Sequence, residues 1–136
     1  MHSINPYISF DGNTREAMNF YKDIFGGELE LNEVDGSPME QHWPDGKGKI
    51  FHSALSAEGK LLLMGTDMTG PIAQVIGNNI QLAINCSSEE EIRTLTDKLA
   101  AGGEMIAPVS EQFWGALFGA ARDKFGISWM LNYDKA

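Results

Sequence analysis

The sequence predicts an α+β fold, a single domain over residues 1–136 made of two βαβββ modules at about residues 3–67 and 79–134. Three observations predict it. Short extended runs are interrupted twice by an amphipathic helical stretch that ends at a double glycine, Gly26-Gly27 and Gly102-Gly103. An ungapped offset of 76 residues pairs Ile4 with Ile80, Asn5 with Gln81, Ile8 with Ile84, Gly26-Gly27 with Gly102-Gly103 and Glu28 with Glu104. Beyond a loop about ten residues longer in the first half, an offset of 66 pairs Met64 with Met130.

Each element has its own signal. Ile4 to Phe10 reads as a strand, with Ile4, Ile8 and Phe10 on an apolar face and Asn5 and Ser9 on the other. Asn13 and Glu16 open a helix in the manner of a capping box, and Ala17, Phe20, Tyr21, Ile24 and Phe25 continue it to the double glycine. Glu28 to Val34 is extended again, while Asp35 to Gly48, rich in Gly, Pro and Asp, is a long loop. Lys49 to Ala57 and Lys60 to Thr66 make a hairpin about Glu58-Gly59. Asp67 to Asn78, with Gly70-Pro71 and Gly77, connects the halves. The order then repeats: a strand from Ile80 to Cys86, and a helix opened by Ser88 with Glu91 and carried by Ile92, Leu95 and Leu99. Extended segments follow at Glu104 to Val109, Leu117 to Arg122 and Ile127 to Tyr133, with a turn at Phe113-Trp114-Gly115.

Nineteen acidic against ten basic side chains leave a net charge of −9. No Lys or Arg run offers the stripe that nucleic-acid binding needs, so nucleic acid is excluded as a partner. No segment approaches the roughly 20 apolar residues that span a bilayer, and MHSINPYISFDGN lacks the pattern of a secretion signal. A soluble, cytoplasmic protein is expected, with no membrane partner. Cys86 is the sole cysteine, which rules out an intrachain disulfide and a Cys-based zinc site. It shares the parity of Ile80, Leu82 and Ile84 and is expected to be a buried hydrophobe.

This chain resembles the vicinal oxygen chelate superfamily of glyoxalases, extradiol dioxygenases and bleomycin- or fosfomycin-resistance proteins. Asn19-Phe20-Tyr21 before Phe25-Gly26-Gly27, then Phe113-Trp114-Gly115, Phe118-Gly119, Asp123-Lys124-Phe125-Gly126 and Trp129 resemble its PhnB-like branch, some of whose members are labelled demethylubiquinone methyltransferase-like. The resemblance implies modules that form a curled mixed sheet around a shared cup, helices outside, often in a homodimer. Methyl transfer finds no support, because no glycine-rich turn follows a strand to hold a nucleotide cofactor. Metal-binding members place His, Gln or Glu on the first and last strand of each module, positions that fall here on Asn5, Met64, Gln81 and Met130. Neutral amides and thioethers are poor ligands for borderline divalent ions, so no metal or other cofactor is expected. The alternatives are a divalent-metal lyase, isomerase or dioxygenase of glyoxalase type using other ligands, and a dimeric interaction module with no ligand.

Strand parity sets Tyr7 and Ser9 beside Asn5, Ala83 and Asn85 beside Gln81, Leu62 and Thr66 beside Met64, and Ser128 and Asn132 beside Met130. Such a lining suits a small polar organic molecule. Asn5, Tyr7, Gln81 and Trp114 are expected to orient it, Met64 and Met130 to give apolar contact, and Gln112 to add a hydrogen bond near Trp114. His52 is the candidate for proton transfer, because imidazole exchanges protons near neutral pH; the competing reading is a histidine packed at a strand edge. A two-residue turn at Glu58-Gly59 would set Ser53 opposite Met64 and point His52 at the helices, whereas a three-residue turn would set His52 opposite Met64. Glu40, His42 and Asp45 lie in the long loop, either as a lid or facing solvent.

Overall fold

Two hydrogen-bonded sheets organise the computed structural model, which describes residues 1–68 and 74–135 and divides into the units Met1–Gln74 and Val75–Ala136. The first unit contains β1 (Tyr7–Ser9), α1 (Thr14–Phe25), β2 (Glu28–Glu33), α2 (Met39–His42), β3 (Ile50–Ala57) and β4 (Lys60–Thr66). Its sheet has the order β1-β4-β3-β2, with β1 parallel to β4 and the other pairs antiparallel. The second unit contains β5 (Leu82–Asn85), α3 (Glu89–Ala100), β6 (Glu104–Glu111), β7 (Ala116–Arg122) and β8 (Ser128–Asp134). Its order is β5-β8-β7-β6, again with one parallel pair, β5 and β8. The α+β class and the two βαβββ modules expected from the repeat are thus present, although the long loop contains one helical turn, α2.

One face of each sheet is covered by the helix of its own module. In the first, α1 buries Ala17, Met18 and Tyr21, and Phe10, Leu55 and Leu63 are likewise buried; α1 packs on β2, β3 and β4. In the second, α3 packs on β6, β7 and β8 and buries Ile92 and Leu99, in a core that includes Leu117, Ala121, Trp129 and Leu131. Alternation then leaves the opposite face of each sheet free of its own helix, and that face carries Tyr7 and Met64 in one module and Ala83 and Met130 in the other. The double glycines have a steric cause. Gly26 and Gly27 take φ of +74° and +89°, and a Cβ on Gly27 would run into the Ser56 carbonyl oxygen of β3. A Cβ on Gly103 would meet the Arg122 carbonyl oxygen of β7 in the same way.

Several boundaries differ from the sequence reading. Both first strands start later than expected, at Tyr7 and Leu82, and Ile4 and Ile80 are 85% and 77% exposed. Within its unit each is an edge strand with a ladder on one side only; Pro6 has no N–H to give and contributes just its carbonyl, which accepts from Met64 N at 3.0 Å. Asn5 and Gln81 therefore precede the strands on which they were expected. Asn13 makes no side-chain cap bond. The start of α1 is held instead by buried Asp67, whose Oδ1 accepts from Thr14 N at 3.0 Å and Thr14 Oγ1 at 2.6 Å, and whose Oδ2 accepts from Ile50 N at 2.9 Å. α3 keeps the expected Ser88–Glu91 pairing, with Ser88 Oγ accepting from Glu91 N at 3.0 Å and Glu91 Oε1 reaching back one residue beyond the cap to accept from Ser87 N at 2.9 Å. Asp123 closes the β7–β8 turn, taking Phe125 N, Ile127 N and Trp129 Nε1 at 2.9, 3.1 and 2.8 Å. In the connector, residues 69–73, with Gly70-Pro71, lie outside the described residues.

Candidate functional site

The helix-free face of the first module is organised by a register shift. The Glu58-Gly59 turn has two residues, as one of the two expectations required, with φ of 53° and 75° and Ala57 opposite Lys60. A bulge then places Leu55 opposite Leu63 but Ser56 opposite Leu61, so Leu62 is an extra residue and Ala54, not Ser53, opposes Met64. His52, two residues from Ala54, shares the Met64 face: the two-residue turn alone would point it at the helices, and the single inserted residue reverses that, settling an orientation the sequence left open. Tyr7 lies opposite Met64, and its ring spans β4 to bring Oη within 3.0 Å of His52 Nδ1, with ring centroids 5.7 Å apart. The phenol donates to an unprotonated Nδ1, or Nδ1–H donates to the phenol oxygen. Asn32 stands opposite His52 on β2. Asn5, ahead of β1, accepts from Ser3 Oγ at 2.6 Å and donates to Leu61 O at 3.4 Å.

A cavity of about 470 Å³ opens on the corresponding face of the second module. Its floor follows from the register: Ala83 pairs with Met130 and Asn85 with Asn132 across β5 and β8, and Phe118 of β7 lies opposite Asn132. Gln112 and Trp114 reach it from the β6–β7 turn, and Ile84 and Leu131 complete the wall. That turn is closed by Gly115 N to Gln112 O at 2.9 Å, with Gly115 at φ +92°. Trp114 is 57% exposed and meets Phe113 edge-on at 4.8 Å between centroids. Met130 and Trp114, two of the expected ligand residues, thus share one cavity, while Tyr7 and Met64 share the first-module face with His52. Gln81 is exposed and outside the cavity lining. Phe118 was missed as a lining residue, yet the offset of 66 that pairs Met64 with Met130 also puts Phe118 at the place of His52.

The donor chemistry fails to fit the metal centre that the resemblance implies. Within the first module, the expected ligand positions supply the Asn5 amide and the Met64 thioether; within the second, they supply the Gln81 amide and the Met130 thioether. Among the described residues, no group of three or more His, Cys, Asp or Glu side chains is placed to hold a metal ion. The junctions leading into α1 and α3, Phe10-Asp11-Gly12-Asn13 and Cys86-Ser87-Ser88, lack the clustered glycines that let a nucleotide cofactor approach the backbone, and the one before the single turn α2 has only Gly36. Cys86 is buried on the helix side, and burial, followed by the Glu91 carboxylate, pushes its thiol up from 9.0 to about 11, which suits an inert hydrophobe. In the loop, Glu40 Oε1 accepts from Gly36 N at 2.8 Å, a bond within the loop itself, and His42 and Asp45 are exposed. Among the described residues no helix is long and apolar enough to cross a membrane.

Comparison with known proteins gives a consistent pattern. The family model described as 3-demethylubiquinone-9 3-methyltransferase matches residues 2–132. Protein YjdN of Escherichia coli is 28% identical over 144 aligned residues, covering 97% of this chain and 95% of its own. The crystal structure of protein PA1353 from Pseudomonas aeruginosa is similar at a TM-score of 0.85 and 33% identity, with 98% of each chain covered. A PhnB protein from Bacillus cereus follows at 0.75 and 27%, with 97% of this chain and 99% of its own covered. A glyoxalase-related enzyme from Fulvimarina pelagi, 19% identical at a TM-score of 0.63, shares the fold over 98% of this chain and 88% of its own.

Proposed function

The chain belongs to the PhnB-like branch of the vicinal oxygen chelate superfamily, and from that premise we propose that it binds a small organic molecule in the second-module cavity, without the metal centre of the superfamily's metalloenzymes. The cavity itself carries the reading. Its volume of about 470 Å³ lies in the range of small-molecule sites, and its lining combines apolar Ala83, Phe118 and Met130 with the amides of Asn85, Gln112 and Asn132. No charged side chain lines it. That chemistry narrows the small polar molecule expected from strand parity to one with an apolar, ring-like body and a few hydrogen-bonding groups. Met130 gives an adaptable thioether surface beneath the ring, and Trp114 closes over it from the turn.

Titration with 2-naphthol, followed through the Met130 methyl and Trp114 indole N–H signals, tests the reading. Both signals are expected to move, and Ala83→Tyr, which sets at position 83 the residue that lies opposite Met64 in the first module, is expected to abolish the response. Equal binding by the Ala83→Tyr variant, or no response in either protein, refutes the assignment. The Tyr7–His52 contact at 3.0 Å favours a second reading, in which the first module transfers a proton to or from a bound molecule.

A further inference from the structure

The chain holds three Asp-Gly steps, Asp11-Gly12, Asp35-Gly36 and Asp45-Gly46, and no Asn-Gly step. At such a step the carboxyl group and the next main-chain nitrogen meet with little steric hindrance, because glycine has no Cβ to shield its N–H. The structure assigns one of the three, Asp11-Gly12, as a site of isoaspartate formation in the folded protein. What separates the three is where each glycine N–H and each carboxylate is engaged. Gly36 N donates to Glu40 Oε1 at 2.8 Å, and the two oxygens of Asp35 accept from Gly48 N at 3.2 and 3.3 Å, so both reacting groups are held apart. Gly46 N donates to Trp43 O at 3.0 Å, and Gly46 is buried, with the Trp43 ring where its Cβ would stand. Asp11 and Gly12 are both exposed, in the turn between β1 and α1, and among the described residues neither the Asp11 carboxylate nor the Gly12 N–H is hydrogen-bonded. The main-chain bonds on either side, Phe10 N to Thr66 O at 2.8 Å and Ala17 N to Asn13 O at 3.0 Å, stop short of this step.

The reaction needs no partner, oxidant or reductant. Gly12 N attacks Asp11 Cγ, a C–N bond forms, and the carboxyl C–O bond breaks. The departing oxygen leaves as water, carrying the amide proton and the proton of the carboxylic acid form. The five-membered cyclic imide then takes up one water. Opening at the former main-chain carbonyl leaves the chain running through Cβ and Cγ, with a free carboxylate on Cα and no net change in mass. One methylene is thereby added to the main chain between buried Phe10 and the start of α1. At the other steps the glycine N–H must first leave its acceptor, and giving up a bond to a carboxylate, as at Gly36, slows ring closure about tenfold or more.

The experiment incubates the full chain at pH 6 and 37 °C, folded in buffer and unfolded in concentrated urea. Isoaspartate is then read at each step by digestion with an endoproteinase that cuts before aspartate but not before isoaspartate, and by electron-transfer fragmentation of the peptides. In the folded protein Asp11 is expected to convert about tenfold or more faster than Asp35 and Asp45, and in urea the three are expected to convert at comparable rates. Glu40→Ala, which frees the Gly36 N–H, is expected to raise the Asp35 rate in the folded protein severalfold. Equal rates at the three steps in the folded protein, a lead by Asp35 or Asp45, or no isoaspartate at Asp11 overturns the assignment. An unchanged Asp35 rate in Glu40→Ala overturns the role given to the glycine hydrogen bond.

Discussion

Replacing Asp67 with alanine tests how the first module is tied together, because that side chain joins the end of β4 to the start of α1 and to β3. Asp67 is 7% exposed, and its oxygens accept from Thr14 N, Thr14 Oγ1 and Ile50 N at 3.0, 2.6 and 2.9 Å. The Thr14 hydroxyl can rotate to another acceptor, but the two amides cannot. Each buried donor left unmet costs about 1–3 kcal/mol, so the loss is about 2–6 kcal/mol for the pair. A chain of 136 residues has a total stability of about 7–20 kcal/mol, which makes this a large fraction. Asn13→Ala, by contrast, deletes a side chain that makes no cap bond and costs less than about 0.5 kcal/mol. With a urea slope of about 2 kcal/mol per molar, the Asp67→Ala midpoint, read by circular dichroism, falls by about 1–3 M while that of Asn13→Ala moves by under about 0.3 M. Comparable midpoints for the two variants, or a larger loss for Asn13→Ala, would refute the assignment of the cap.

Two further outcomes follow from the same structure. With the Cys86 thiol raised from 9.0 to about 11, first by burial and then by Glu91, labelling by iodoacetamide at pH 8 is expected to be about a hundredfold slower in the folded protein than in the urea-unfolded chain. The linked stability is present in full below pH 9 and is lost as pH rises toward 11, so Cys86→Ala flattens that limb of the stability curve; an unchanged limb contradicts the burial argument. Tyr7→Phe removes the partner of His52 Nδ1 and is expected to shift the His52 ring-nitrogen resonances and tautomer balance, at a stability cost below about 1 kcal/mol for so exposed a pair. Unmoved His52 resonances would show that the phenol does not engage the imidazole in solution.

Repetition made the scaffold legible in the sequence. The offsets of 76 and 66 reappear in the strand register, where Tyr7 pairs with Met64 and Ala83 with Met130, Ser9 with Thr66 and Asn85 with Asn132. Helix ends and strand parity were legible for a related reason, since glycine terminators, the Ser88–Glu91 capping box and alternation are encoded within a few residues. Contacts between distant positions carry no such local mark. Asn13 and Glu16 present the same short-range pattern as Ser88 and Glu91, yet the N-terminus of α1 is capped by a carboxylate 53 residues away. The orientation of His52 turned on one bulged residue, Leu62, that neither composition nor turn chemistry announces.

The same repeat explains why the two modules offer different chemistry on matching faces. Met64 and Met130 occupy equivalent places, each opposite an alanine on the next strand, Ala54 or Ala120. What differs is the edge strand and the row beside it. Tyr7 lies opposite Met64 and reaches His52, so the first module presents a phenol–imidazole pair on this face. Ala83 stands at the position of Tyr7 and Phe118 at that of His52, which removes the phenol ring and replaces the imidazole with an apolar wall. The cavity over Met130 thus coincides with two differences between the copies, Ala83 for Tyr7 and Phe118 for His52. The two proposed roles are separable on that basis: changes at position 83 are expected to act on ligand binding in the second module, and changes at position 7 on the His52 imidazole.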